Sequence, residues 1–412
     1  MPKFTYTVKD INGKSKADMA DALNRTQLIT DLQRNGFFII DVKELRPGET
    51  FQQTQLAKKQ KFTHKKVKLD DLVIFARQLT AMLDAGVNLL RSLDVILSQV
   101  ESEQLFKVMS KIKADVEQGS SLSAAIEKHP KVFDQFWVSL IEVGEASGTM
   151  PTILQKLAFY LEQQAAFRAT IISAIIYPAI LFCVATGAVA FFALVIGPRF
   201  EDVFKSMGVQ LPMITKVLLG AFAFLRTKFF WILGGVIITI FVLRKYAETP
   251  IGKLQLEKIM FSLPTVGGVY KLIILERFSS QMAILIDSGV PILYALDITQ
   301  RLVNNLTCAK IVHDIKEGVR QGRALVGPMQ KSGFFPPMAI QMIMVGEETG
   351  ELSKMLKHVA NYYQNNVEIF MKRFGTIIEP IILVFMGAVI GTIVIAMFLP
   401  MFNISKLGGG GG

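Results

Sequence analysis

Cysteine and histidine are almost absent from this chain: among 412 residues there are two cysteines, Cys183 and Cys308, and four histidines, His64, His129, His313 and His358. Their wide spacing excludes a disulfide framework and any recognisable zinc site, and both cysteines read as core residues. Charge is sparse as well, 19% of residues against 51% hydrophobic, which gives a mean hydropathy of +0.40. That balance excludes disorder and is too apolar for an ordinary cytosolic enzyme. No Gly-x-x-x-x-Gly-Lys-Ser/Thr loop occurs, so any nucleotide work falls to a partner. No apolar core with a small-residue cleavage site follows Met1, so no signal peptide is expected and the first domain is expected to stay in the cytoplasm. Acidic residues fall short of basic ones, 34 against 45, and the net charge of +11 suits either nucleic acid or anionic lipid.

What the chain does contain is long apolar runs. Residues 171–197 carry no charge, more than the roughly 20 residues that cross a hydrocarbon core. A second run at 222–243 has Arg226 and Lys228 near one edge and ends on Arg244 and Lys245, where long basic side chains can snorkel. A third, 376–402, is broken only by Glu379. With these runs the basic excess points to lipid, and no nucleic-acid partner is expected. Three spans place the chain ends on opposite faces, although the basic residues between 198 and 228 run against the positive-inside tendency.

An internal repeat organises the rest. The stretch 75–87, FARQLTAMLDAGV, aligns with 278–290, FSSQMAILIDSGV, at an offset of 203 (278 − 75). After one deletion the offset is 202 (346 − 144), pairing Gly144-Glu145-Ala146-Ser147-Gly148 with Gly346-Glu347-Glu348-Thr349-Gly350, and Pro178 with Pro380. Apolar residues recur at three and four positions, so each copy is expected to be a bundle of short antiparallel helices whose last helix continues toward a span. Gly86 and Gly289 are expected as helix C-caps. Equivalent domains belong in the same compartment, and the middle span supplies the second crossing that returns the chain there.

The expected organisation is a mainly α membrane protein: a small α+β module at 1–45, a basic linker at 46–69, a first cytoplasmic helical domain at 70–169, and a first span at 170–197. A short periplasmic loop follows at 198–221, then a second span at 222–243, a second helical domain at 244–375, a third span at 376–402 and a periplasmic tail at 403–412. Within the module, residues 4–9 alternate like a strand, Asn12-Gly13 is a hairpin turn, 19–34 reads as a helix and 37–42 as a strand. The linker either rests on anionic headgroups or is simply solvated. The glycine run after Leu407 has no packing logic and is set aside.

Paired domains with Phe-x-x-Gln and Gly-Glu-x-x-Gly, a span with Tyr177-Pro178 and another with Glu379-Pro380 together resemble the type II secretion system F family, over about residues 65–402. The resemblance implies a non-enzymatic inner-membrane platform of type II secretion or type IV pilus assembly. It further implies a cytoplasmic hexameric ATPase, pilin or pseudopilin subunits and other inner-membrane assembly components as partners, and a multi-pass chain with its N-terminus cytoplasmic and C-terminus periplasmic. A competence-type pseudopilus platform and a membrane transporter are the alternatives, the latter disfavoured because the repeat is mostly soluble. A homo-oligomer, expected as a dimer, completes the reading.

Several positions carry two readings each. Glu145 and Glu347, flanked by Gly144, Gly148, Gly346 and Gly350, form either a partner-contact hinge or a capped helix corner; with Gln78 and Gln281 they are the motif positions. Glu142 with Glu145, and Glu347 with Glu348 and Glu351, offer carboxylates at helical spacing to a divalent cation, a weak signal without a ligand loop. No cofactor is expected. Glu379 either meets the charged N-terminus of a subunit or lies near the interface with Arg373 six residues back. Pro178 and Pro380 either open a groove by kinking or fit the bundle. Gly387 and Gly391 permit close helix approach. Exposed Lys111, Lys113, Arg320 and Arg323 are the expected ATPase docking residues.

Overall fold

The computed structural model describes residues 3–9, 15–22, 24–34, 37–44, 62–206, 211–303 and 305–408. It divides into two compact units, Met1–Glu162 and Gln163–Gly412.

The first unit begins with strands β1 (Lys3–Lys9), β2 (Ser15–Asp21) and β3 (Phe38–Glu44) around helix α1 (Arg25–Arg34). The sheet is antiparallel with order β2-β1-β3. The helix expected over 19–34 is therefore shorter: Met19 pairs with Thr5 in the ladder, and Asn24 accepts from the Gln27 amide to start the helix one turn later. Phe4, Val8, Leu28, Leu32 and Val42 form this module's core. The hairpin expected at Asn12-Gly13 and most of the basic linker lie outside the described residues.

Five helices follow: α2 (Leu69–Asp84), α3 (Leu89–Leu97), α4 (Glu103–Glu117), α5 (Leu122–Glu127) and α6 (Gln135–Ser147). Short side chains cap them, as the exchange of water for protein partners at a helix start requires. Asn88, Ser102, Ser121 and Asp134 each accept from a first-turn amide. Gly86 and Gly119 take positive φ where α2 and α4 end. Phe75 stacks on Trp137, and Phe133 packs edge-on against Trp137 and tilted against Phe75, all three buried.

Helix α7 (Met150–Phe191) runs on through a π-turn at Phe192–Ile196 into α8 (Gly197–Ser206). After residues 211–212 comes α9 (Met213–Glu248). Much of the loop expected at 198–221 is thus helical. The second bundle comprises α10 (Pro250–Ser262), α11 (Val266–Asp287), α12 (Ile292–Leu302), α13 (Leu306–Arg320), α14 (Val326–Lys331) and α15 (Pro337–Thr349). Helix α16 (Leu352–Gly408) closes the chain.

Two stretches, Met150–Ser206 and Leu352–Pro400, are long and apolar enough to cross a membrane, and α10 with α11 qualify only as a pair bent by 115°. Only 11% and 17% of the two apolar windows is buried within the protein, and side chains such as Phe182 and Val384 are exposed on its outside. Both helices run unbroken through Pro178 and Pro380. Farther along, Ala193, Phe222, Ile393 and Met397 pack together, and the Thr215 hydroxyl donates to the Ala396 carbonyl at 2.5 Å. Cys308 is buried as expected, whereas Cys183 is exposed on the outward face of α7.

Candidate functional site

The Gly-Glu-x-x-Gly segments end α6 and α15, and each residue of the motif has a separate job. Gly144 and Gly346 sit where the next helix begins: a Cβ there would lie 3.2 Å from the Met150 Cα and 3.0 Å from the Leu352 Cα. Only hydrogen fits such an approach without displacement. Gly148 and Gly350 take the left-handed conformation, φ 68° and 74°, that closes each helix.

The glutamate between them reaches across the bundle. Glu145 accepts from the Leu122 amide at 2.5 Å and the Ser123 amide at 3.2 Å, and from the Ser123 hydroxyl. Glu347 accepts from Leu325 and Val326 at 2.7 and 3.4 Å. Each carboxylate thus satisfies orphan donors at the start of a helix some 22 residues earlier, where the helix dipole favours negative charge. Both copies thus share the same carboxylate-to-amide contact. No group of three acidic, histidine or cysteine side chains suited to a metal exists among the described residues. Glu142, Glu348 and Glu351 are exposed, while Glu145 and Glu347 are engaged by backbone amides.

An ion pair is also duplicated between the copies. Lys113 binds Asp94 and, at 3.2 Å, Glu117; Lys316, its counterpart at the same offset of 203, binds Asp297 at 2.7 Å. Partial burial works against the Lys113 charge, but Asp94 and Glu117 outweigh it and raise its pKa. Hydrogen bonding from Lys316 holds the Asp297 carboxyl below its ordinary range. Lys113 is therefore a strut between α3 and α4 and is not free to dock a partner. Arg320 is exposed and forks onto Glu317 at 3.1 and 3.2 Å, Arg323 contacts Gln321, and Lys111 faces solvent. Sequence reasoning missed the pair, though Asp94/Asp297 and Lys113/Lys316 share the repeat register.

Gln78 donates to Gln99 at 2.8 Å, but its counterpart Gln281 is buried with Oε1 unpaired among the described residues. Within the apolar segments, the Tyr177 hydroxyl donates to Glu379 at 2.9 Å. These are equivalent positions of the two copies, each directly before its proline. The contact gives the carboxylate a partner from its own chain in place of Arg373. Nothing lies within 4 Å of a Cβ at Gly387 or Gly391, so neither brings another helix of this chain close.

Comparison with known proteins agrees with this duplicated architecture. The family described as type II secretion system (T2SS), protein F, matches twice, at residues 75–198 and 278–400. The type IV pilus assembly protein PilC of Thermus thermophilus is 34% identical over 406 residues, covering 98% of each chain. PilC of Myxococcus xanthus is 34% identical over 335 residues, 81% of this chain and 80% of that one. The type II secretion system protein F of Vibrio cholerae is 28% identical over 408 residues, 99% of each.

Proposed function

Since the chain belongs to the type II secretion system protein F family, we propose that it is a non-enzymatic platform in the bacterial inner membrane that couples a cytoplasmic ATPase to the handling of pilin-like subunits. One observation carries this reading. In each copy a capped corner at Gly144–Gly148 or Gly346–Gly350 leads directly into a helix that continues without a break into an apolar span. An unbroken helix has no flexible joint along its length, so movement of either bundle would be delivered into the membrane.

In this reading α7, α9 and α16 cross the bilayer, both bundles and the N-terminal module are cytoplasmic, and the C-terminus is periplasmic. The protein works as a homodimer. Lys111, Arg320 and Arg323 receive the hexameric ATPase, and the Tyr177–Glu379 contact lies where a subunit leaves the bilayer. Among assembly systems, the 34% relatives support a type IV pilus over a secretion or competence system.

The test is co-purification of the detergent-solubilised protein with the assembly and retraction ATPases of its own genome, with ATP turnover measured. Capture of one hexamer with altered turnover is expected, and Lys111→Glu with Arg320→Glu should weaken it. Failure of a folded, monodisperse protein to bind any of them would remove the motor-coupling role.

A further inference from the structure

Helix α10 is built inside out. Its acid, Glu257, is buried at 4% exposure and accepts from the Leu306 and Thr307 amides at 2.9 and 3.1 Å, capping α13. That fixes the rotation of the helix, so Ile251, Leu254 and Ile259, at spacings of three and five, point away from the protein, with Gln255 and Lys258 exposed among them. Ile251 is 70% exposed and Ile259 57%. Met260, Leu263 and Val266 are exposed as well, at the turn into α11.

The corner is locked at both ends. At the α9 end, the Thr249 hydroxyl accepts from the Gly252 amide at 3.1 Å, and a Cβ on Gly252 would fall 2.0 Å from the Tyr246 carbonyl oxygen. At the α11 end, a Cβ on Gly267 would fall 2.4 Å from that of Phe261. Between them Thr265, the one non-glycine residue with positive φ among the described residues, turns the chain at φ 67°, ψ −51°. The Val266 amide donates to the Pro264 carbonyl at 2.9 Å across it, which is a strained γ-turn. A flexible connector needs none of these constraints.

We infer that α10 lies along the cytoplasmic surface of the bilayer as an interfacial helix, its Ile251–Leu254–Ile259 side against anionic phospholipid. This rests on reading α9 as a span. The occupant follows from continuity and charge. Only Thr249 separates α10 from the end of α9, so the exposed apolar face begins where that span would leave the hydrocarbon. Lys258 stands exposed within this side and Arg244, Lys245 and Lys253 are close by in sequence, against Glu248 and the inward-turned Glu257. Such a helix sinks about 5–10 Å into the headgroup boundary, held by apolar area and by attraction to anionic lipid. The second bundle is then fixed at a set angle to the membrane, and α13, capped by Glu257, is fixed with it.

The experiment uses the full-length protein in vesicles containing phosphatidylglycerol, with a bimane label at Leu254→Cys or Ile259→Cys in a Cys183→Ser background. Cys308 can remain, because burial pushes its thiol up to about 12. Quenching by a headgroup-proximal doxyl lipid with loss of quenching by aqueous iodide is expected at both positions, while Lys131→Cys shows the reverse. Lys258→Glu, or purely zwitterionic vesicles, should reduce the lipid quenching. Iodide access at Leu254→Cys and Ile259→Cys, or protection there from both quenchers, would overturn the inference, the second outcome meaning that protein covers the face. Trp231→Cys, midway along α9, reports the span separately: quenching there by a mid-chain doxyl lipid sustains that reading even if α10 fails. Its absence removes both.

Discussion

The two bundles share a skeleton and differ in what fills it. Both have the Asp–Lys strut, the glutamate cap, the close-approach glycine and the left-handed terminal glycine at matching positions. Their cores diverge. Five buried polar atoms lack a partner among the described residues, on Gln281, Ser288, Thr299, Gln300 and Tyr363, and all belong to the second bundle and its outgoing helix. The first-copy counterparts are Gln78, which is paired, and Ala85, Ile96, Leu97 and Leu161. A half-buried acid, Glu276, stands where the first copy has Val73. Unpaired buried polar groups cost stability, so the second bundle carries a cost that the first does not.

Glu276 gives the largest expected effect. Burial among α11 neighbours such as Leu272 and Ile273 raises its pKa to about 7, only partly offset by Arg277. The folded state therefore holds this proton more tightly than the unfolded chain, whose carboxyl titrates near 4.5. The stabilising contribution is complete below that value and is lost as pH rises toward 7, a swing on the order of 3 kcal/mol. Glu276→Val, which installs the first-copy residue type, should abolish the slope in that window and raise the unfolding midpoint in detergent at neutral pH. Val73→Glu should import the same slope into the first bundle. A pH profile unchanged by either substitution would contradict the assignment.

The two caps offer a finer test. Glu145 satisfies two amides and a hydroxyl, whereas Glu347 satisfies two amides, one at 3.4 Å. Glu145→Ala should cost about 1–3 kcal/mol and Glu347→Ala less. Hydrogen exchange localises the effect: the Leu122 and Ser123 amides should exchange faster in the first variant, and those of Leu325 and Val326 in the second. Equal acceleration would mean that the longer bond is not the weaker cap.

Much of this was legible in the sequence because it is carried by local chemistry. Apolar runs, helical spacing and the glycines at 86, 148, 289 and 350 announce helices and their ends without reference to distant residues. The repeat register also locates Glu145 and Glu347, but not what they hold, since their partners lie about 22 residues away and depend on how the bundle closes. Lys113 reads as a docking residue because Asp94 meets it only after α3 and α4 pack, although Glu117, four residues on along α4, is visible in the sequence. The strand at Ser15–Asp21 was hidden by a sequence compatible with helix, a case of tertiary pairing overriding local preference. Tyr177 and Glu379 were each visible beside a proline, yet their hydrogen bond spans 202 residues.

The mildest substitutions address the divergent core directly. Ser288→Ala deletes an unpaired hydroxyl without adding volume and restores the type found at Ala85. Thr299→Val replaces a hydroxyl by a methyl of similar shape where the first copy has Ile96. Each should stabilise the second bundle by about 1 kcal/mol, the cost of burying a hydroxyl without a bond. The two need not add fully, because Ser288 ends α11 and Thr299 lies in the adjoining α12. The converse, Ile96→Thr, should destabilise the first bundle by more, since it removes apolar packing as well as burying a hydroxyl. If the second-copy variants are stabilised and also lower ATPase-coupled assembly, the unpaired polar atoms are a retained source of compliance. Stabilisation with unchanged assembly would make them neutral divergence between copies, and no stabilisation would mean that ordered water already satisfies them.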